Sequence, residues 1–344
     1  MMSEQTGAPP DVRLLALING FQGSMVISVA ATVGLADALN EPRDAQWLSA
    51  ATGTNVGALT RLLGALAGVG IVRESPPGSF ALTEMGQFLR KDVPGSVASW
   101  AEFVGSPYLW NSWGDLVYSI RTGEPAFDHL HGEDVWDWRS SHPGENLIFN
   151  EAMRAMSFRV ARSATAAFDF GRFARIIDIG GGNGAFLAAI LANNPSSRGV
   201  VFDLPHVVAG ATAVLREAGV SDRCEAMGGS YFDTIPGGGD AYIVKAVFMD
   251  HSDDEVTGLL RKIRSAMLPN GEVLIVERII TGQSDEPSVL MSDMMMLLMH
   301  GTRIRRPEEW LTLLEDSGFR LNSMTPLVAG NYIIRATPFV PATG

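Results

Sequence analysis

The sequence predicts an α/β protein: a Rossmann-like doubly wound sheet ending in an antiparallel hairpin, preceded by an α-helical winged-helix module. Three observations predict it. From Arg175 onward, short β-rich runs ("RIIDIG", "GVVFDL", "CEAMGG", "AYIVKAVFM", "GEVLIVERII") alternate with helical spacing, as in a parallel sheet covered by helices on both faces. From Val12 to about Leu89, apolar residues recur at three- and four-residue intervals, which is the spacing of packed helices. The closing runs "FRLNSMTPL" and "NYIIRATP" flank a Gly-Asn turn and read as a hairpin at the sheet edge. A chain of 344 residues is long for one core, so two domains are expected, at 1–105 and 106–344.

In the first domain, "WLSAATGTNVGALTRLLGALAGVGIV" reads as two short helices with Thr54 and Asn55 as candidate caps. "GIVRESPPGSFALT" follows as two strands joined by a Pro-Gly turn. A helix-turn-helix with a wing serves either DNA binding or dimerisation. The net charge of -12 and pI near 5.0, with no long basic run, repel phosphate backbones and favour a homodimer that binds neither nucleic acid nor membrane. The single cysteine, Cys224, excludes an intrachain disulfide and fits a reducing cytoplasm. The opening "MMSEQTGAPP" lacks the basic and apolar regions of a secretory signal, and no uninterrupted apolar run reaches about 18 residues. A cytoplasmic protein acting on a small molecule is expected. A looser segment, "TGEPAFDHLHGEDVWDW", has the composition of a lid, with His129 and His131 solvated among its acids.

"IIDIGGGNGAFLAAIL" is a strand that ends in a glycine-rich turn and opens into an apolar helix. Glycines let the backbone approach a ligand, and the helix N-terminus offers free N–H groups. About 20 residues on, Asp203 ends "VVFDLP", where an acid accepts hydrogen bonds from ribose hydroxyls. Dinucleotide enzymes share these features, so the neighbours decide. Asp178 precedes the turn, "GGSYF" follows the third strand, and Lys245 lies in the fourth.

With "DIGGGNG", "VFDLPHVV", "GGSYF", "VER" and "PEEWLTLLEDSGF" in place, the chain resembles class I S-adenosylmethionine-dependent methyltransferases. The specific likeness is to the caffeate and acetylserotonin O-methyltransferase family, in its bacterial secondary-metabolism branch. The resemblance implies that Gly180 and Gly182 approach the methionine moiety, that Asp203 holds the ribose, and that Ser230 and Tyr231 flank the adenine. Asp178, Leu204 and Lys245 complete the implied cofactor pocket. Ser230 departs from the acid usual there.

In "VKAVFMDHSDDE", Ser252 and Glu255 have the spacing of a capping box, which leaves Met249, Asp250 and His251 to explain. The family carries Leu-His-Asp-Trp here, and its histidine is the general base. Matching Lys245 and Asp250 without gaps puts Met249 at that histidine and His251 at the tryptophan. A thioether accepts no proton at neutral pH, which removes a contribution of roughly 10²- to 10⁴-fold. Ile304 replaces a second family acid, while Glu277 in "VER" remains.

His251 and His300 are gained. With Asp250 they form a candidate open metal site for Fe or Zn; separate non-metal roles stand beside that reading. A similar small branch methylates 2-oxo acids at carbon with metal help. The expected reaction is therefore C3 methylation of a 2-oxo acid through a metal-stabilised enolate. Asp250, His251 and Glu277 are the expected catalytic residues, with His251 as base if it is not a ligand. Arg154 or Arg303 would hold the substrate carboxylate, and Met249 and Met296 would line its side chain. Methionines in "SDMMMLLMHG" read first as an adaptable core helix and second as a soft pocket wall. O-methylation by proximity alone is the second expectation. A family member using the cofactor only as scaffold is the third, and a DNA-binding regulator the fourth.

Overall fold

The computed structural model describes residues 8–282 and 286–339, so the opening MMSEQTG lies outside the described residues. The chain forms two compact units. One comprises the chain up to Asn111 with Arg139–Met156; the other comprises Ser112–Trp138 with the chain from Ser157 onward.

In the first unit, helices Ala45–Thr52 and Val56–Gly68 are separated by a turn in which Gly53 adopts φ 65°. Asn55 caps the second helix by accepting from the Ala58 N–H at 3.0 Å. Thr54 instead pairs its hydroxyl with that of Thr52. The short strand Arg43–Asp44 (β1) and the wing strands Val72–Glu74 (β2) and Ser79–Leu82 (β3) form an antiparallel sheet in the order β1-β3-β2. Leu48, Leu59, Leu63 and Leu66 are buried against Phe80 and Leu82. Each such side chain contributes about 1.5–3 kcal/mol relative to exposure. Helices Pro10–Ile18 and Gly20–Thr32 make a 23-residue apolar stretch, long enough by composition to cross a membrane. In the single chain Leu14, Leu17, Ile18 and Phe21 are exposed.

The second unit is built on Arg175–Ile179 (β4), Arg198–Asp203 (β5), Cys224–Gly228 (β6), Ala241–Lys245 (β7), Glu272–Arg278 (β8), Phe319–Pro326 (β9) and Asn331–Pro338 (β10). The order is β6-β5-β4-β7-β8-β10-β9, parallel through β8, with the β9–β10 hairpin antiparallel at the edge. One apolar layer contains Leu259, Leu260, Ile263, Trp310 and Phe319, and the other Phe186, Leu187, Leu191 and Leu215. β4 pairs with β5 on one side and β7 on the other. The strand order reverses there, and open α/β sheets bind ligands at such a point, beyond the strand C-termini.

Two local features bear on the site. Helix Asp253–Ala266 begins with the expected capping box: the Ser252 hydroxyl accepts from the Glu255 N–H, and the Glu255 carboxylate accepts from the Ser252 N–H. The segment expected as a loose lid is instead helical over Ala126–His131. Ala126 and Phe127 are fully buried, and that burial outweighs the polar, glycine-containing composition. His129 meets Asp115 at 2.8 Å and stacks on Tyr118, while His131 stacks on Phe127.

Candidate active site

The turn after β4 is shaped by glycine. Gly180, Gly182 and Gly184 have φ of 67°, 60° and 79°, the left-handed region that side chains disfavour. A Cβ on Gly180 would lie 2.5 Å from Val247 Cγ2, whereas one on Gly182 would point into open space. Gly184 precedes helix Ala185–Asn193, whose N-terminus faces the turn. Asp178 lies beneath it, because a Cβ on Gly181 would come within 2.8 Å of Asp178 Oδ2.

Asp178 is 1% exposed, and among the described residues neither carboxylate oxygen has a hydrogen-bond partner. Burial pushes its carboxyl up to about 7; the charge of Lys245 opposes this and that of Asp203 adds to it. Burial lowers Lys245 in turn, against attraction from Asp178, Glu277 and Asp250. A buried, unpartnered carboxyl is costly unless a ligand donates to it. The cationic amino group of S-adenosylmethionine is such a donor. Asp203 accepts from the N–H of Gly182 at 2.8 Å and of Leu204 at 2.7 Å, and each oxygen keeps a lone pair for a ribose hydroxyl. Burial raises the Asp203 carboxyl against those two N–H donors. After β6, the Ser230 hydroxyl accepts from the Phe232 N–H at 3.2 Å. These residues fit the cofactor.

The loop after β7 begins with Ala246 at φ 52°, left-handed without being glycine. Glu277, 2% exposed, accepts from the N–H groups of Val247 at 3.0 Å and Met249 at 3.3 Å. Burial pushes its carboxyl up to about 7, against the charge of Arg305 and these bonds. Thr302 donates its hydroxyl to the Met249 carbonyl at 2.6 Å. The Met249 side chain packs against a cluster of Ile280, Val289, Met296 and Ile304, as does Met295. Met249 and Ile304, which the resemblance sets at the family's base and second acid, thus share one apolar wall.

The three expected metal donors do not converge. Among the described residues, no group of three or more histidine, cysteine or acidic side chains is arranged to hold a metal ion. His251 turns its Nε2 to the Tyr231 hydroxyl at 2.9 Å and its Nδ1 toward Glu255 at 3.9 Å, with the Phe232 ring edge-on. Burial lowers its pKa; Glu255 opposes and Arg305 reinforces that shift. Burial also raises Tyr231, so the phenol keeps its proton. A neutral imidazole accepting that O–H, with its protonated nitrogen toward Glu255, has its Nε2 lone pair engaged. His300 Nε2 lies 3.6 Å from Asp250 Oδ1, with the two side chains 9% and 13% exposed. The expected metal centre thus gains no support from these side chains, with His251 held to Tyr231.

The two arginines expected to hold a substrate carboxylate both carry ion pairs. Arg154 belongs to the first unit and pairs with Glu151 one helical turn away. Arg303, half-exposed, pairs with both Asp253 and Glu309 at 2.9 Å. Met296 is 5% exposed and faces the apolar cluster. A cavity of about 300 Å³ is lined by Asp250, His251, His300, Arg303 and Arg305, among others. Arg305 escaped sequence reading. It is 2% exposed and lies 5.5 Å from the Trp310 ring; the sequence signal, three arginines just before "PEEW", looks like a charged surface run.

A family model for an O-methyltransferase domain matches residues 113–320, and one for an O-methyltransferase dimerisation domain matches residues 15–92, which include most of the exposed apolar helices. The chain is 36% identical to the phenazine O-methyltransferase PhzM of Lysobacter antibioticus over 94% of this chain and 95% of that one. It is 38% identical to the 8-amino-8-demethylriboflavin N,N-dimethyltransferase of Streptomyces davaonensis over 88% of each. The solved structure of human N-acetylserotonin methyltransferase in complex with S-adenosylmethionine superposes with a TM-score of 0.89 at 25% identity, covering 97% of this chain and 99% of that one. With its glycine turn, buried Asp178 and Asp203 at the end of β5 in place, the chain belongs to the O-methyltransferase family of S-adenosylmethionine-dependent methyltransferases.

Proposed function

We propose that the enzyme methylates an oxygen of a small aromatic metabolite and that His300, backed by Asp250, takes the acceptor proton that Met249 cannot. S-adenosylmethionine supplies the electrophilic methyl group. The observation that carries this reading is the His300–Asp250 pair, 3.6 Å apart, nearly buried and lining one cavity. A carboxylate at that distance stabilises the charge a histidine gains on taking a proton. His251 is the weaker candidate because Tyr231 engages its Nε2. Met249, Met295, Met296 and Ile304 offer a polarisable apolar wall suited to a flat ring.

Likeness to a phenazine O-methyltransferase and to a mitomycin biosynthesis 6-O-methyltransferase supports an oxygen acceptor. Methylation at C3 of a 2-oxo acid depended on a metal centre whose donors do not converge, so the second expectation takes its place. A nitrogen acceptor is the alternative reading. A neutral aromatic amine attacks before losing its proton, so the apolar wall at Met249 and Ile304 suits it, and one relative is an N,N-dimethyltransferase. The dimerisation-domain match and the exposed Leu14, Leu17, Ile18 and Phe21 support a homodimer.

Labelled cofactor offered with a panel of hydroxylated aromatics, aromatic amines and 2-oxo acids tests the reading. On a phenolic acceptor, His300→Ala lowers kcat by about 10²-fold or more and His251→Ala by less than tenfold, with affinity for S-adenosylhomocysteine unchanged in both. Full turnover by His300→Ala on a phenol overturns His300 as base. Transfer only to carbon or nitrogen overturns the oxygen acceptor.

A further inference from the structure

We infer that Arg305 is a positioning residue which, opposite Glu277, grips the backbone of the Val247–His251 loop and so sets where Met249 and Asp250 stand; the inference rests on the reading that this loop and His300 form the transfer site. The grip has two sides. Glu277 takes the N–H groups of Val247 and Met249. The Arg305 guanidinium donates to the carbonyls of Phe248 and His251, each at 2.6 Å, and to Asp253 Oδ1 at 2.8 Å. Both side chains are 2% exposed. A carboxyl group on the amide side and a guanidinium on the carbonyl side therefore hold the 246–247, 248–249 and 251–252 peptides of one loop, the middle one from both sides, in dry surroundings that strengthen each bond.

The loop needs such a hold, because Ala246 enters it in a left-handed conformation that a non-glycine residue adopts only when its surroundings fix it. Asp253 carries the grip further. As the first residue of helix Asp253–Ala266, it ties Arg305 to that helix and, through Arg303, to Glu309. Catalysis is exposed to this loop because Asp250 backs His300 from it. A misplacement near 1 Å can cost on the order of 10²-fold in rate.

The test uses the full-length enzyme and compares Arg305→Met with Arg305→Lys. Hydrogen exchange of the peptide spanning residues 246–252, without ligands, reads the grip; kcat, KM for the acceptor and affinity for S-adenosylhomocysteine read its consequence. Arg305→Met is expected to exchange at least tenfold faster there and to lose about 30- to 100-fold in kcat. Its KM and cofactor affinity should stay within threefold, and Arg305→Lys should recover kcat to within tenfold of the parent. Unchanged exchange, or faster exchange with kcat intact, overturns the assignment. If Arg305→Met does not fold, Glu277→Gln loosens the opposite side and is read by the same exchange and the same kcat. Absence of any methyl transfer by the parent enzyme overturns the proposed function instead, while the exchange measurement still judges the grip.

Discussion

The turn after β4 and the loop after β7 leave adjacent parallel strands at the same sheet edge, yet they are stabilised by opposite means. The Gly180–Gly184 turn is a backbone solution: its glycines adopt left-handed φ, and at Gly180 and Gly184 they also leave room where a side chain would collide. The Ala246–His251 loop is a side-chain solution, held by Glu277, Thr302 and Arg305 around a left-handed alanine. The first kind of region keeps its function only while its glycines remain. The second can exchange its chemistry while its frame stays, as expected if Met249 stands where the resemblance sets the family's base.

The largest expected effect breaks the glycine side. Gly180→Val puts a branched side chain at φ 67° and a Cβ 2.5 Å from Val247. The strained residue and the displaced loop act together. Affinity for S-adenosylhomocysteine, measured by calorimetry on folded protein, is expected to fall more than 100-fold. A loss under tenfold would mean that the turn yields and does not define the pocket.

A smaller effect comes from the carboxyl beneath that turn. The Asp178 carboxyl stands at about 7 because burial disfavours its charge, with Lys245 opposing. A cationic ligand favours the ionised form, so the sign is fixed: affinity for the cofactor is low where Asp178 is protonated and rises as pH passes upward through 7. With that pKa, about one-tenth of the sites are ionised at pH 6 and nine-tenths at pH 8, so affinity should improve roughly tenfold between them. Asp178→Asn should bind weakly and lose that slope. A parent enzyme whose affinity is flat from pH 6 to 8 would place the cofactor's amino group away from Asp178.

The two regions also differ in how far the sequence discloses them. Glycines and the Ser252–Glu255 box encode backbone conformation, which is a local property, and the left-handed turn and the helix cap stand where the spacing puts them. Side-chain direction is not local. His251 and His300 both end near the cavity, but Tyr231, from the segment after β6, turns the His251 ring. No spacing within "VKAVFMDHSDDE" discloses that partner. Arg305 is hidden for the same reason, since its acceptors lie more than 50 positions earlier in the chain. The helix Ala126–His131 is hidden differently: burial of Phe127 decides it, and a polar composition disguises that burial.

The smallest expected effect is the most informative about the loop. Met249→His restores the family's base residue, yet turnover on a phenol is expected to change by less than threefold. The position is walled by Met296, Ile304 and Ile280, where desolvation disfavours an imidazolium and so opposes taking a proton. Glu277, the acid that remains, already accepts two loop amides, and the second family acid is Ile304. A histidine there is a neutral ring without an orienting partner. Adding Ile304→Glu supplies a carboxylate in the same cluster, and the double variant should exceed Met249→His by about tenfold, a non-additive gain because each change alone buries a polar group unpaired. Thermal melts establish that the variants are folded, and product analysis with labelled cofactor reads the transfer. A large gain from Met249→His alone would show that the apolar wall is permissive, and that the frame held by Glu277 and Arg305 is sufficient for base catalysis from position 249.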